Sequence, residues 1–139
     1  MSRRAAIEVG AEPAAVGHIV TMEDMVLFEP EGERNIHTDD EAARVAGLPA
    51  AIAAGVQFMS YIFEILYRQY GFGSLTGTVL DVRIRAPVFA GDRVTARGRV
   101  TGMEQEGDSH RLHLDVWCEN QRGEQVIAGT AQVPVHQGA

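Results

Sequence analysis

The stretch that decides the fold is AIAAGVQFMSYIFEILYRQYG, residues 51–71, the longest segment with a helical hydrophobic period. The apolar residues of this period are Ile52, Val56, Phe58, Met59, Ile62, Phe63, Ile65, Leu66 and Tyr70. The narrow polar line between them consists of Gln57, Ser60, Glu64 and Arg68. A helix that is apolar around most of its circumference is typical of a buried element. The pattern therefore predicts one long helix that the rest of the chain wraps, ending at Gly71 and Gly73.

Beyond this helix the hydrophobic period changes to strict alternation, which is the period of a half-buried strand. The four alternating segments are residues 75–89, 93–101, 110–119 and 124–135. Turn residues separate them at Gly91-Asp92, Gly107-Asp108 and Gly123. The second half of the chain therefore predicts four longer antiparallel strands joined as a meander.

The first half of the chain predicts only short elements. A short strand over residues 17–20 precedes a helical turn that Thr21 caps and Pro30 ends. Thr38 or Asp39 caps a second brief helix, which Gly47 stops. Residues 1–16 show no strong period, and we expect them to be a flexible lead-in to one domain over residues 17–136.

These elements predict an α+β fold in which an antiparallel sheet wraps around the long helix. Four or five strands need one face covered, and only the segment over residues 51–71 is long and apolar enough to cover it. Such a sheet has two free edges, and pairing edges across a two-fold axis would extend it. We therefore expect a homodimer or a higher even oligomer.

Composition restricts the function. The chain has 139 residues, 45% of them hydrophobic and 22% charged, without an apolar run long enough to span a bilayer. The formal net charge of −7 disfavours binding to nucleic acid. A single cysteine, Cys118, excludes an internal disulfide and falls on the apolar phase of a strand, where we expect a buried thiol. The sequence predicts a cytoplasmic protein with no metal site and no cofactor.

Three segments carry a resemblance to a known family: GERNIHTDDEAARVAGLPAAIAAG over residues 32–55, RIRAPVFAGDRVTARGRV over residues 83–100 and NQRGEQVIAGTAQVPV over residues 120–135. In this order they resemble the MaoC-like family of hotdog-fold proteins. That family includes (R)-specific enoyl-CoA hydratases and dehydratases acting on CoA or carrier-protein thioesters. The resemblance implies a single, dimeric hotdog domain. It also implies a hydratase or dehydratase that adds or removes water at the α,β double bond of an acyl thioester.

The family signature, Gly-Asp-x-Asn-Pro-Ile-His, is irregular in this chain. Aligning on His37 without a gap places Gly32 at the position of the family's catalytic aspartate. Allowing loss of the proline instead places Glu33 there and retains Asn35. We prefer the second alignment, so the resemblance implies His37 and Glu33 as the catalytic pair. A further departure is Ala54, where many members have histidine.

Four more residues are candidates for the site that the resemblance implies. Gly55 begins the long helix, where free backbone amides favour an oxyanion, and Asn35 would help to position the substrate. Arg83 and Arg85 are candidates for binding the phosphates of CoA or of a carrier-protein arm.

Simpler interpretations stay open. His37 can be an ordinary residue before a helix, Glu33 can belong to a solvated acidic loop, and the strand arginines can form a solvated face. Glu64 and Arg68 fit a salt bridge on one helix face, although Glu64 can also serve a hotdog thioesterase. A catalytically altered subunit that binds a partner is the third alternative, favoured by the irregular signature and Ala54.

Overall fold

The computed structural model describes residues 5–136. Its helices are α1 (Met22–Leu27), α2 (Asp40–Val45) and α3 (Gly55–Tyr70). Its strands are β1 (Val16–Ile19), β2 (Val79–Ile84), β3 (Arg93–Glu106), β4 (Ser109–Glu119) and β5 (Gln125–His136). The N-caps follow the expected chemistry, because the side chains of Thr21 and Asp39 accept hydrogen bonds from the amides of Asp24 and Ala42.

The five strands form one antiparallel sheet in the order β1-β3-β4-β5-β2. The α+β class and the sheet around a long helix are therefore confirmed. The predicted meander is wrong at one point, because β2 pairs with β5 and lies three strands away from β3. The connection over residues 85–92 is too long for a tight hairpin, and its Val88 and Phe89 hydrogen-bond and bridge to the segment before α3.

The core lies between α3 and the inner face of the sheet. Its largest buried side chains on the helix are Phe58, Ile62, Ile65 and Leu66. Opposite them lie Val94, Ala96, Val100, Leu112, Leu114, Val116 and Ile127 from β3, β4 and β5. Because side chains alternate between the two faces along a strand, all of these residues lie on the same face of the sheet. Burial also raises the pKa of the Cys118 thiol to about 12, which makes it unreactive.

Helix α3 begins at Gly55, four residues later than the hydrophobic pattern starts. The amides of Ile52 and Ala53 donate to the carbonyls of Ile36 and Val88, so residues 51–54 are extended and bridge two other segments. An extended entry of this kind fixes where the first turn of α3 points.

Residues 5–16, which we predicted to be part of a flexible lead-in, pack against the fold instead. Ala6 is fully buried, and its carbonyl accepts a hydrogen bond from the hydroxyl of Tyr70 at 2.8 Å. The amide of Gly10 donates to the carbonyl of Val100 at 2.8 Å. Backbone hydrogen bonds and small side chains hold this segment, and neither leaves a period in the sequence. Residues 1–4 lie outside the described part.

No helix within residues 5–136 combines the length and the hydrophobicity needed to cross a membrane.

Candidate active site

The loop between α1 and α2 is held by its own polar side chains. The backbone amide of Asn35 donates to the hydroxyl of Thr38 at 2.9 Å, and that hydroxyl donates to the carbonyl of Glu33 at 2.9 Å. The side-chain oxygen of Asn35 accepts from the amide of His37 at 2.8 Å. An asparagine bonded to the amide two residues later makes a tight turn, which fixes the direction of the His37 side chain.

One nitrogen of the His37 ring is anchored to the entry of α3. Nδ1 lies 2.9 Å from the carbonyl oxygen of Ile52. A carbonyl oxygen only accepts hydrogen bonds, so Nδ1 carries the proton and Nε2 of the neutral ring holds a free lone pair. The His37 side chain is 26% exposed, so the ring is not turned out into bulk solvent. In the neutral ring Nε2 is therefore the nitrogen that can accept a hydrogen bond.

The acid nearest to this nitrogen is Glu29, which follows Phe28, the C-cap of α1. Its Oε1 lies 4.0 Å from Nε2 of His37, and its side chain is 16% exposed. The side-chain amide nitrogen Nδ2 of Asn35 donates to the other carboxylate oxygen of Glu29, Oε2, at 3.3 Å. A separation of 4.0 Å is too long for a direct hydrogen bond but allows one water molecule to bind both groups.

Glu33 lies elsewhere in the loop. It is exposed, and its carboxylate contacts only the side chain of Asn35, at 3.4 Å, among the described hydrogen bonds. The structure therefore brings Glu29, and not Glu33, to the His37 ring. The turn that ends α1 places Glu29, because its backbone amide donates to the carbonyl of Val26 at 3.1 Å and the residue lies in a bend before Pro30. No pattern in the sequence singles this glutamate out from the other acids of the loop.

Gly55 lies at the start of α3, as expected. Within the described part, the amides of Gly55 and Val56 donate to no backbone or side-chain acceptor, as is normal in a first turn. Ala54 is the N-cap and its side chain caps nothing. A methyl group on Gly55 would lie 2.6 Å from Cδ1 of Ile84, so β2 packs closely against this turn. Ile52, which anchors His37, is only three residues earlier.

Arg83 and Arg85 do not share this side of the sheet. Ile84 points at Gly55, and neighbouring residues of a strand point to opposite faces. Both arginines are exposed on the outer face, where Nη1 of Arg85 donates to Gln125 at 3.3 Å. The structure therefore separates them from His37 by the thickness of the sheet.

Glu64 belongs to a second polar cluster on α3. Its two oxygens bind Nε2 of His18 at 2.6 Å and Nη2 of Arg68 at 2.9 Å. Burial alone would raise the pKa of Glu64, but the hydrogen bond from His18 and the charges of His18 and Arg68 lower it. Nine residues of helix place Glu64 about 13 Å along the axis from Gly55. The His18 ring also stacks on Tyr61 with centroids 4.4 Å apart.

A single helix wrapped by a five-stranded antiparallel sheet defines a hotdog-fold protein, and this one has a histidine and an acid beside the helix entry. A family model described as "MaoC like domain" matches residues 5–116. The chain therefore belongs to the MaoC-like family. No curated protein sequence matches it.

Solved structures of the same fold cover nearly the whole chain. A MaoC-like dehydratase from Rhodospirillum rubrum is 23% identical with a TM-score of 0.78, covering 95% of this chain and 94% of its own. An R-hydratase from Pseudomonas aeruginosa is 25% identical with a TM-score of 0.73, covering 91% and 80%. An (R)-hydratase from A. caviae, involved in PHA biosynthesis, is 22% identical with a TM-score of 0.75, covering 94% and 98%.

Proposed function

We propose that this protein is a hydratase or dehydratase that adds or removes water at the α,β double bond of an acyl thioester. The observation that carries the proposal is the pairing of Nε2 of His37 with Oε1 of Glu29 across 4.0 Å. That separation fits a water molecule hydrogen-bonded to a base and to a carboxylate. Family membership and the R-hydratase neighbours support the same class of reaction.

In the hydration direction His37 acts first as the base. Its Nε2 accepts a proton from the bound water while the water oxygen bonds to the β-carbon. The π electrons of the double bond move to the thioester oxygen, which gives an enolate. Proton transfer from the imidazolium to the α-carbon then completes the addition and restores neutral His37. Glu29 orients the water and stabilises the imidazolium by its negative charge. Dehydration follows the same steps in reverse.

The first turn of α3 would stabilise the enolate oxygen. The amides of Gly55 and Val56 are free to donate, and the positive end of the helix dipole favours a developing negative charge. One correctly aimed donor lowers such a barrier by about 3 kcal/mol. Glycine at position 55 also lets a thioester carbonyl approach the backbone closely.

An activity screen tests the proposal. The purified protein should hydrate at least one trans-2-enoyl thioester, offered both as CoA esters of increasing chain length and on a carrier protein. Loss of the conjugated double bond is followed by ultraviolet absorbance, and the product is identified by mass. Release of free thiol is measured in the same samples. Absence of water addition to every enoyl thioester would contradict the proposal and favour a binding subunit.

Gly55 offers a test that separates packing from catalysis. The substitution Gly55→Ala places a methyl group against Cδ1 of Ile84, so we expect both a lower melting temperature and roughly tenfold lower kcat. The double variant Gly55→Ala, Ile84→Val removes the clashing methyl. It should recover the melting temperature while kcat stays low, whereas Ile84→Val alone is the control. Recovery of both quantities would mean that the glycine serves packing only.

The thioesterase alternative would use Glu64 as its acid. Both oxygens of that carboxylate already bind His18 and Arg68, which also lower its pKa, so we expect it to serve as a partner in these contacts and not as a catalytic acid. We infer that Glu64 ties α3 to β1. Thiol release that Glu64→Gln abolishes would reverse this inference.

We also propose that two copies pair through β2. This strand is bonded to β5 on one side only, and it exposes the apolar side chains of Val79 and Ile84. Val56, in the first turn of α3, is likewise exposed, so the exposed apolar surface at this edge extends to the candidate site. A second copy would cover these residues. Sedimentation equilibrium should give twice the chain mass of 15.1 kDa, or an even multiple of it.

The cytoplasmic location stays a prediction.

A further inference from the structure

The outer face of the sheet, opposite α3, contains a cavity of about 360 Å³. Side chains of Arg99, Asp115, Trp117 and Gln125 line it, together with Val116, Ala128 and Gly129. This volume lies in the range of small-ligand sites, about 300–1,000 Å³. None of these residues has a part in the proposed water addition, and the sheet separates the cavity from His37.

Strand register explains why a cavity forms there. Trp117 of β4 lies directly opposite Arg97 on β3 and Ala128 on β5, and Ala128 lies opposite Arg83 on β2. The row therefore contains an indole beside a methyl group, with an arginine at each end. The small Ala128 side chain leaves one side of the indole uncovered. Trp117 is half-buried, and no ring among the described residues stacks on it.

The charges around the indole are only partly paired. Arg97 binds Glu119, but Arg83, Arg99 and Asp115 form no ion pair with any residue in the range 5–136. Arg99 and Asp115 are direct cross-strand neighbours, so a cation and a carboxylate are presented side by side at the cavity. Arg85 lies close by through its hydrogen bond to Gln125. An anionic group and a hydrogen-bond donor on one ligand would both find partners here.

We propose that this cavity binds a purine nucleotide. The base would stack on Trp117, since every nucleobase has a flat aromatic face on which an aromatic side chain can stack. Arg99 and Arg83 would bind phosphate, because guanidinium groups match phosphate geometry. Asp115 would accept hydrogen bonds from the exocyclic amine or a ribose hydroxyl, which explains a carboxylate in a phosphate site. Because the sheet separates this cavity from His37, the ligand would be a free nucleotide and not the head group of a CoA thioester held at the site of water addition.

The test uses Trp117 itself, because it is the single tryptophan of the chain. Titration of the full-length protein with 3′,5′-ADP should change its tryptophan fluorescence in a saturable manner, more weakly at high salt. Arg99→Gln should weaken binding about ten- to a hundredfold. Ala128→Leu, which fills the cavity without changing charge, should abolish binding. Arg44→Gln on α2, an exposed arginine paired only with Glu41, is the control and should bind normally.

A kinetic arm tests the separation of this cavity from the site of water addition. KM and kcat for an enoyl-CoA should be unchanged in Arg99→Gln and in Ala128→Leu. A higher KM for enoyl-CoA in both variants, with turnover of an enoyl-pantetheine unaffected, would place the CoA head group in the cavity and reject the free-nucleotide site. Binding is measured without turnover, so this inference stands or falls separately from the proposed reaction.

Two results would overturn the nucleotide site. The first is no saturable change with 3′,5′-ADP or CoA at millimolar concentration in a protein that melts cooperatively. The second is a fluorescence change that persists equally in Arg99→Gln and Ala128→Leu. If Ala128→Leu instead halves the mass of the oligomer in solution, the face is a contact between copies of the chain, which also rejects the nucleotide site.

Discussion

The substitution His37→Ala should lower kcat for enoyl-thioester hydration about a thousandfold and leave the melting temperature close to that of the wild type. The expected loss is the usual contribution of a positioned general base, about 10²–10⁴-fold. The ring is a quarter exposed and outside the core, so its removal costs one hydrogen bond to Ile52 and little packing. Steady-state kinetics with a trans-2-enoyl-CoA, alongside a thermal melt, measure both quantities.

A matched variant separates the two nitrogens of the ring. His37→Asn places an amide N–H where Nδ1 donates to Ile52, but it supplies nothing in place of Nε2. It should therefore preserve the anchor and still lose activity as severely as alanine does. His113→Ala, on the outer sheet face, is the surface control and should keep full activity. Substantial turnover in His37→Asn would show that Nε2 is not the base.

The elements of the fold follow from two hydrophobic periods in the sequence. Helix α3 is apolar on the faces that meet the sheet, and β3 and β4 alternate residue by residue between buried and exposed positions. Both patterns arise because buried positions are apolar, so these elements can be predicted from one sequence alone. The Thr21 cap was predicted, and the second cap was predicted as Thr38 or Asp39, because a local side-chain hydrogen bond needs only neighbouring residues.

The order of the strands in the sheet cannot be predicted from these hydrophobic periods. Pairing of β2 with β5 joins residues about fifty positions apart, and alternation in each strand is the same whichever neighbour it has. The packed segment over residues 5–16 was missed for a related reason. Its contacts are backbone hydrogen bonds to Val100 and one from the Tyr70 hydroxyl, which any small residues could make.

The candidate site also has one residue that local sequence features indicate and one that depends on contacts distant in the sequence. His37 could be proposed from the sequence because its place before a helix and its resemblance to a signature are local properties. Its acidic partner depends on how the loop folds back, which the turn at Asn35 decides. The loop offers several carboxylates, and their order in the sequence favoured Glu33. Folding of the loop brings the end of α1, and therefore Glu29, beside Nε2.

The choice between the two glutamates leads to the second large effect. Glu29→Gln should lower kcat about a hundred- to a thousandfold, because a neutral amide cannot stabilise the imidazolium that forms as the water loses its proton. The side chain keeps its length, and its carbonyl oxygen can still accept from Asn35, so the loop should retain its shape. KM should change little, since the carboxylate contacts water and not the thioester.

Glu33→Gln is the matched control, with the same chemical change four residues along the same loop. We expect its kcat to stay within about threefold of the wild type, because an exposed charge in contact with solvent is strongly screened. The reverse order, with Glu33→Gln inactive and Glu29→Gln active, would return the acid to the position implied by the family signature. Equal and small losses in both variants would remove the carboxylate from the mechanism and leave His37 to act alone.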